Sequence, residues 1–199
     1  MYQAFYSIDG VLAGQHPGIA EQFLKIFKDF DRIIEIGTLH GGLSLFIHKN
    51  KKPGCEFISY DIDPELNIVP PKFKSQIDFR IGDCFSEKTG TEIMNLIQNT
   101  QKRVLLLCDG GDKPREVRTF GQYLKSKDVI MCHDYADSNV DFHQHAQLVG
   151  WTGWKTSFGM LLTSLMEHNL VKYKYYNEFK SIFWGSFIKP FGDFEILEQ

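Results

Sequence analysis

The stretch RIIEIGTLHGG, residues 32–42, decides the fold. It begins with an apolar run at residues 33–36, continues into Gly37, and reaches the pair Gly41 and Gly42 before the helix-like segment LSLFIHK. An apolar strand followed by a glycine turn and a helix is the unit with which α/β folds bind nucleotide-like ligands. We therefore expect an α/β protein whose ligand lies at the end of this first strand.

The same alternation of apolar runs and amphipathic segments continues along the chain. Runs such as VLLLC (104–108) and VIMC (129–132) are apolar throughout, which is typical of central parallel strands covered on both faces. Strands are predicted at residues 33–36, 57–61, 77–81, 104–108 and 129–132, and helices at 17–30, 91–99, 114–124 and 160–169. LVKYKYY (170–176) and SIFWGSFI (181–188) are predicted to form a hairpin. This order predicts a doubly wound, mostly parallel α/β sheet.

Length and composition limit the class of protein. The 199 residues fit one ordinary domain, so residues 1–199 are expected to form a single domain. No apolar run approaches the roughly 18 residues of a membrane span, and the N-terminus lacks a signal-peptide pattern, which predicts a cytoplasmic protein. The four cysteines form no C-x-x-C pair, so we expect reduced thiols. A net charge of −3 argues against nucleic acid as a partner.

Acidic side chains stand at the end of every predicted strand. Because ligands of open parallel sheets bind at the carboxyl ends of the strands, these residues are expected to share one cleft. They are Glu35, Asp61, Asp83, Asp109 and Asp134. A carboxylate at Asp61 can accept two hydrogen bonds from the vicinal hydroxyls of a ribose, and Asp83 can accept one from an exocyclic amine such as adenine N6. The pattern predicts a nucleoside attached to a small charged group.

A nicotinamide dinucleotide is the alternative ligand. Asp61 follows Gly41 at about the spacing of a Rossmann ribose acid, and Tyr123 and Lys127 imitate the catalytic pair of short-chain dehydrogenases. The turn, however, lacks G-x-G-x-x-G, and Lys127 is predicted to lie in a turn before the fifth strand. An NAD-dependent oxidoreductase is therefore the second reading of the sequence.

Five segments, taken in order, carry a family resemblance: EIGTLHGG, SYDID, RIGDCF, LLLCDGGDKPREV and VIMCHDY. They resemble the successive motifs of class I S-adenosylmethionine-dependent methyltransferases. Within that superfamily the chain is similar to the metal-dependent small-molecule and sugar O-methyltransferases, the group of macrocin and rhamnosyl O-methyltransferases and cephalosporin hydroxylase-like proteins. The resemblance covers about residues 17–190 and implies a Rossmann-like seven-stranded sheet with a C-terminal antiparallel hairpin strand.

The resemblance also implies S-adenosylmethionine as the cofactor. The methionine portion would lie around residues 37–42, the ribose at Asp61, and the adenine near Asp83 and Cys84. The candidate cofactor-binding residues are Glu35, Gly37, Gly41, Gly42, Asp61, Asp83, Cys84 and Asp109. The implied reaction is methyl transfer to a hydroxyl of a small molecule or sugar.

The metal position of the resembling family falls on Asp109, His133 and Asp134. If the fourth and fifth strands are neighbours, their ends lie about 5 Å apart, so Asp109 and Asp134 can converge on one cation, with Mg²⁺ the expected ion. His133 departs from the family, which usually has an acid there. Either two carboxylates and water hold Mg²⁺, or a softer metal binds, or His133 is a general base in a site without metal.

The identity of the general base is a second open point. Relatives often have a histidine where this chain has Asp112, and Lys113 follows it, so the candidate catalytic residues are Asp109, His133 and Lys113. Leu43 stands where relatives commonly have serine. A nonenzymatic nucleoside-binding module on a methyltransferase fold is the alternative that these departures leave open.

Residues 135–155 show no clear periodicity and are predicted to form a loop over the cleft that selects the acceptor. The aromatic and imidazole side chains that could contact an acceptor or a metal are His40, His143, His145, Trp151 and Trp154. A small-molecule or sugar acceptor is the expected partner, no membrane is expected, and a homo-oligomer is possible.

Overall fold

The computed structural model describes residues 7–63, 68–138, 140–141, 143–144 and 156–191. The helices in these ranges are α1 (Ile19–Ile26), α2 (Gly42–Asn50), α3 (Pro71–Lys74), α4 (Glu87–Gln98), α5 (Lys113–Phe120), α6 (Phe158–Glu167) and α7 (Tyr176–Lys180), with 3₁₀ turns at Phe27–Asp29 and Gly121–Tyr123. The strands are β1 (Ser7–Ile8), β2 (Val11–Leu12), β3 (Arg32–Ile36), β4 (Glu56–Asp61), β5 (Asp78–Ile81), β6 (Val104–Cys108), β7 (Val129–Cys132), β8 (Tyr135–Ala136), β9 (Thr156–Ser157), β10 (Val171–Lys172) and β11 (Gly185–Ile188).

Seven of the described strands form the central sheet, in the order β10-β11-β7-β6-β3-β4-β5. The five strands from β5 to β7 are parallel, and β11 runs antiparallel to both of its neighbours. The chain order reverses between β3 and β6, which is where an open α/β sheet forms its ligand crevice. The predicted doubly wound, mostly parallel seven-stranded sheet is confirmed.

The core lies on both faces of this sheet because neighbouring residues of each strand point to opposite sides. Ile33 and Leu105 pack with α1 and α2 on one face, whereas Ile34 and Leu106 pack with α4 and α5 on the other. All five residues of β6 are buried, as expected of a strand that helices cover on both sides. Because both faces of these strands are buried, their sequences are continuous apolar runs that predict strands.

The C-terminal part differs from the predicted hairpin in one respect. Strands β10 and β11 pair antiparallel, with Val171 opposite Ile188, but the chain between them forms α7 instead of a turn. Tyr176 and Phe179 are buried from this helix. Some aromatic residues of this segment, whose type favours strands, therefore belong to a helix that packs on the sheet.

Helix and strand boundaries also shift. Helix α4 begins at Glu87, not at 91, because the Ser86 hydroxyl accepts a hydrogen bond from the Thr89 amide and caps it. Helix α1 ends at Ile26, before the predicted end at 30. None of the helices in the described ranges combines the length and apolarity needed to cross a lipid bilayer. The four cysteines are buried free thiols in this structure.

Candidate active site

A cavity of about 900 Å³ opens at the carboxyl ends of the parallel strands. The turns after β3, β4, β5, β6 and β7 all contribute to its wall. The predicted site residues that line it are Gly37, Asp61, Asp83, Cys84, Asp109, Lys113, His133 and Asp134. The sheet therefore brings most of the predicted residues to one site, as the clustering of acids at strand ends required.

One end of the cavity presents carboxylates that backbone amides hold in place. Asp61 Oδ2 accepts a hydrogen bond of 2.7 Å from the Leu39 amide, and its Oδ1 accepts one of 2.9 Å from the Asp63 amide. Asp83 Oδ1 accepts a bond of 2.9 Å from the Phe85 amide. Each carboxylate oxygen has further acceptor capacity, so the fixed Asp61 group fits the vicinal diol of a ribose.

Gly37 joins this end of the cavity to the turn after β6. Its φ is +95°, and a Cβ built on it would lie 2.3 Å from the carbonyl oxygen of Asp109. Only glycine permits both the left-handed backbone and this close approach. The glycine that follows the first strand therefore lets the turn after β3 pack directly on the turn that carries Asp109.

Glu35, predicted to bind the cofactor, does not line the cavity. Its side chain is completely buried, and its Oε2 accepts hydrogen bonds from the hydroxyls of Ser44 and Ser59. Burial raises the pKa of Glu35 to about 8, although the two serine hydroxyls act in the opposite direction. We correct the prediction: in this structure Glu35 is a buried acid that joins β3, α2 and β4.

The raised pKa of Glu35 predicts how stability depends on pH. The folded state keeps the proton between about pH 4.5 and pH 8 while the unfolded chain releases it, so the free energy of unfolding should fall as pH rises through this window. Glu35→Gln should remove this part of the pH dependence, giving a variant that gains stability relative to wild type at pH 8. Urea denaturation at pH 5, 6.5 and 8 measures the difference, and parallel curves for the two proteins would contradict it.

Gly41 and Gly42 also lie outside the lining of the cavity. Gly41, with φ +83°, is the N-cap of α2, and a Cβ on Gly42 would lie 2.4 Å from the carbonyl oxygen of Leu12. The pair therefore starts the helix and admits the backbone of β2. The two glycines shape the N-terminus of α2, and their contact with the cofactor stays a prediction.

The other end of the cavity contains a histidine paired with a carboxylate. His133 Nδ1 lies 2.8 Å from Asp109 Oδ1 and 3.7 Å from Asp134 Oδ1. Burial alone would lower the pKa of His133, but the carboxylates of Asp109 and Asp134 outweigh it and raise that pKa above its ordinary value. We assign the neutral ring a proton on Nδ1, donated to Asp109, which leaves the Nε2 lone pair for a ligand.

Lys113 is a buried cation in the same wall. Its Nζ lies 3.0 Å from Asp134 Oδ2 and donates a 2.9 Å hydrogen bond to the carbonyl oxygen of Gly110. Burial opposes its charge, but Asp109 and Asp134 more than compensate and raise its pKa. A lysine whose proton is held more tightly than usual is a poor general base, so the structure favours His133 over Lys113 for that role.

The predicted metal position does not fit a cation as these side chains are arranged. Asp109 uses one oxygen for His133 and the other for the amide of Gln15, at 2.7 Å, while Asp134 pairs with the ammonium of Lys113. Within the parts of the chain that the structure describes, no three His, Cys, Asp or Glu side chains form a group that could hold a metal ion. The positive charge next to these carboxylates is the ammonium group of Lys113.

Three residues of the site were missed by the sequence analysis: Gln15, Trp184 and Glu116. Gln15 and Trp184 contact the Asp109–His133 pair, and Glu116 lines the cavity from α5, with burial raising its pKa to about 7. Gln15 and Trp184 are 169 positions apart in the chain, so no local pattern indicates that they meet. Glu116 lies in the first turn of α5, an amphipathic helix whose sequence pattern does not distinguish this acid from a solvent-exposed one.

The segment predicted to cover the cleft is described in part. It begins with β8, whose residues pair in parallel with β9, so this part is strand and not loop. His40 is half-buried and lines the cavity, and His143 is exposed, whereas His145, Trp151 and Trp154 lie outside the described residues. Lys127 has φ +71° and precedes β7, as expected of a turn residue.

Comparison with solved structures identifies the fold. The apo structure of CmcI-N160 is 14% identical, superposes with a TM-score of 0.69, and matches 94% of this chain and 77% of its own. The Mg-SAM structure of CmcI-D160 gives 15% identity and a TM-score of 0.64 over 91% of this chain and 76% of its own. The chain has the class I methyltransferase fold. An S-adenosylmethionine-dependent O-methyltransferase from Thermotoga maritima shares it at 12% identity, with a TM-score of 0.54 over 90% of this chain and 68% of its own.

No protein-family model and no curated protein sequence matches the chain. The link to methyltransferases therefore comes from the shared class I fold, which the sequence motifs at the strand ends had indicated. Activity has to be argued from the side chains of the cavity.

Proposed function

We propose that the protein is an S-adenosylmethionine-dependent O-methyltransferase that acts on a hydroxyl group of a small molecule or sugar. The observation that supports this most strongly is the position of the His133–Asp109 pair in the same cavity as Asp61. One cavity then contains a carboxylate suited to a ribose and a base suited to a hydroxyl. The class I methyltransferase fold agrees with this combination.

The cofactor would be held by residues at the ends of β3, β4 and β5. Asp61 would accept hydrogen bonds from the two ribose hydroxyls, and Asp83 and Cys84 would lie beside the adenine. The turn at Gly37 and the N-terminus of α2 would face the methionine portion, whose carboxylate is favoured at a helix N-terminus. When bound, S-adenosylmethionine supplies an electrophilic methyl group.

The acceptor would bind beside His133. A neutral alcohol is a weak nucleophile, so its proton has to leave as the new oxygen–carbon bond forms. Nε2 of His133 would take that proton, and Asp109 would stabilise the resulting imidazolium through Nδ1. The Lys113–Asp134 pair lies next to this dyad and keeps its own charges paired. Asp109 is a positioning group in this scheme.

The proposed mechanism has no step through a metal ion. The sequence had predicted Mg²⁺ on Asp109, His133 and Asp134, but all three side chains already have partners within the site. The general-base reading of His133 agrees with these contacts. The His133–Asp109 pair also argues against the hypothesis that the chain is a binding module without catalytic activity.

Replacing Asp61 with asparagine tests the cofactor part of the proposal. Charge-assisted hydrogen bonds contribute about 1.5–3 kcal/mol each, so the variant should bind S-adenosylhomocysteine at least about 10-fold more weakly than wild type. Isothermal titration calorimetry measures the dissociation constants. Asp63→Asn is the matched control, because Asp63 lies in the same turn outside the lining of the cavity.

Titration with NAD⁺ under the same conditions distinguishes the proposed methyltransferase from the alternative hypothesis of an NAD-dependent oxidoreductase. The proposal predicts heat with S-adenosylhomocysteine and none with NAD⁺. Binding of NAD⁺ alone, or equal affinity of wild type and Asp61→Asn for S-adenosylhomocysteine, would contradict it.

A further inference from the structure

The candidate base, His133, belongs to a closed ring of four side chains. His133 Nδ1 contacts Asp109 Oδ1 at 2.8 Å, and Asp109 Oδ2 accepts a 2.7 Å hydrogen bond from the amide nitrogen of Gln15. The amide oxygen of Gln15 accepts a 2.9 Å bond from the indole N–H of Trp184. The ring closes because the Trp184 indole stacks on His133, with centroids 4.9 Å apart and planes at 28°.

The direction of each hydrogen bond in this ring follows from Trp184. An indole nitrogen is only a donor, so the oxygen of the Gln15 amide must face Trp184 and its NH₂ group must face Asp109. Gln15 is 2% exposed and Trp184 is 0% exposed, so water cannot readily replace either contact. Asp109 then has one oxygen fixed by Gln15 and the other free to accept from His133.

The ring holds Asp109 against a competing attraction. The ammonium of Lys113 lies in the same cavity wall and interacts electrostatically with Asp109. Without the donor from Gln15, the Asp109 carboxylate could turn toward that cation and away from His133. The neutral amide therefore fixes the carboxylate without adding a second charge.

Rigid elements support both outer members of the ring. Trp184 packs between His133 and Phe23, whose ring lies 5.4 Å away on α1 at 78°. The segment that carries Gln15 follows β2, whose backbone is packed against Gly42 at the start of α2. The chain brings residues from near both ends of its described part to the base.

We propose that Gln15 and Trp184 are positioning residues that hold His133 in the tautomer with Nδ1 protonated and Nε2 open to the acceptor. The catalytic meaning of this assignment rests on the proposed function. The tautomer itself is a property of the protein alone.

Nitrogen NMR of ¹⁵N-histidine-labelled protein tests the proposal without any acceptor. The His133 signals are assigned by their absence in His133→Ala, and spectra are recorded at a pH where the ring is neutral. Wild type should show one tautomer, with the proton on Nδ1. Gln15→Met removes the donor to Asp109, and Trp184→Phe keeps an aromatic ring but removes the indole N–H, so each should lose the single Nδ1–H form and show both tautomers.

Phe187→Leu is the matched control, because Phe187 is a buried aromatic residue of β11 that packs against Tyr135 and Tyr176, outside the ring. It should destabilise the core and leave the His133 tautomer unchanged. The proposal is overturned if wild type has the proton on Nε2, if a folded Gln15→Met or Trp184→Phe keeps the single Nδ1–H form, or if Phe187→Leu shows the same change. If one of the two variants does not fold, the other and the wild-type tautomer decide. Failure to bind S-adenosylhomocysteine would remove the proposed function and leave this result standing.

Discussion

Replacing His133 with alanine is expected to lower the rate of methyl transfer by about 10²–10⁴-fold, the range in which a positioned general base contributes. The variant should bind S-adenosylhomocysteine with nearly wild-type affinity, since His133 lies at the acceptor end of the cavity and Asp61 is unchanged. The rate is measured as S-adenosylhomocysteine formed from S-adenosylmethionine, with a panel of sugars, polyols and phenols as acceptors.

The pH profile of the wild-type rate provides an independent readout of the same role. Only the unprotonated ring can accept the proton, so the rate should rise with pH, and its midpoint should lie above 6.5 because Asp109 and Asp134 raise the pKa of His133. His168→Ala is the matched control, since that ring is bound to the carbonyl oxygen of Arg118 and does not line the cavity. A folded His133→Ala variant with an unchanged rate would refute the base assignment.

Gly37→Ala is expected to have the largest effect on stability among substitutions at the site. The new Cβ would lie 2.3 Å from the carbonyl oxygen of Asp109, and the residue would have to keep a left-handed φ of +95°. Together these effects should lower the free energy of unfolding by about 2–5 kcal/mol. The displaced turn also carries Asp109, so affinity for S-adenosylhomocysteine should fall in the same variant.

Gly54→Ala separates the two causes. Gly54 has a similar φ of +79°, but a Cβ there would meet no atom within 4 Å, so only the backbone penalty of about 1–2 kcal/mol applies. Urea denaturation of the two variants measures the difference. Equal losses would mean that the contact between Gly37 and Asp109 is not closely packed in solution.

Much of the fold was predictable because burial on both faces leaves a simple mark on a sequence. Strands β6 and β7 are apolar at every position, and their predicted bounds agree with the structure. The helix α7 was missed because its aromatic residues are also typical of strands. Local propensity could not distinguish a strand from a short helix whose aromatic side chains pack on the sheet.

The site was predictable where it depends on the order of strands alone. Asp61 and Asp109 meet at one cavity because parallel strands end at the same edge. The direction in which an acid points was not predictable, and Glu35 turns into the core toward Ser44 and Ser59. The partners of His133 were not predictable either, since Gln15 lies in a different part of the chain and reaches the site only in the folded protein.

A crystal structure of the protein with S-adenosylhomocysteine is the most direct test of the account. We expect the nucleoside in the cavity at the strand ends, with both ribose hydroxyls hydrogen-bonded to Asp61, the adenine beside Asp83, and the sulfur facing the end that holds His133. Binding at another place, or in this cavity without contact to Asp61, would contradict the central claim that these strand ends form a methyltransferase active site.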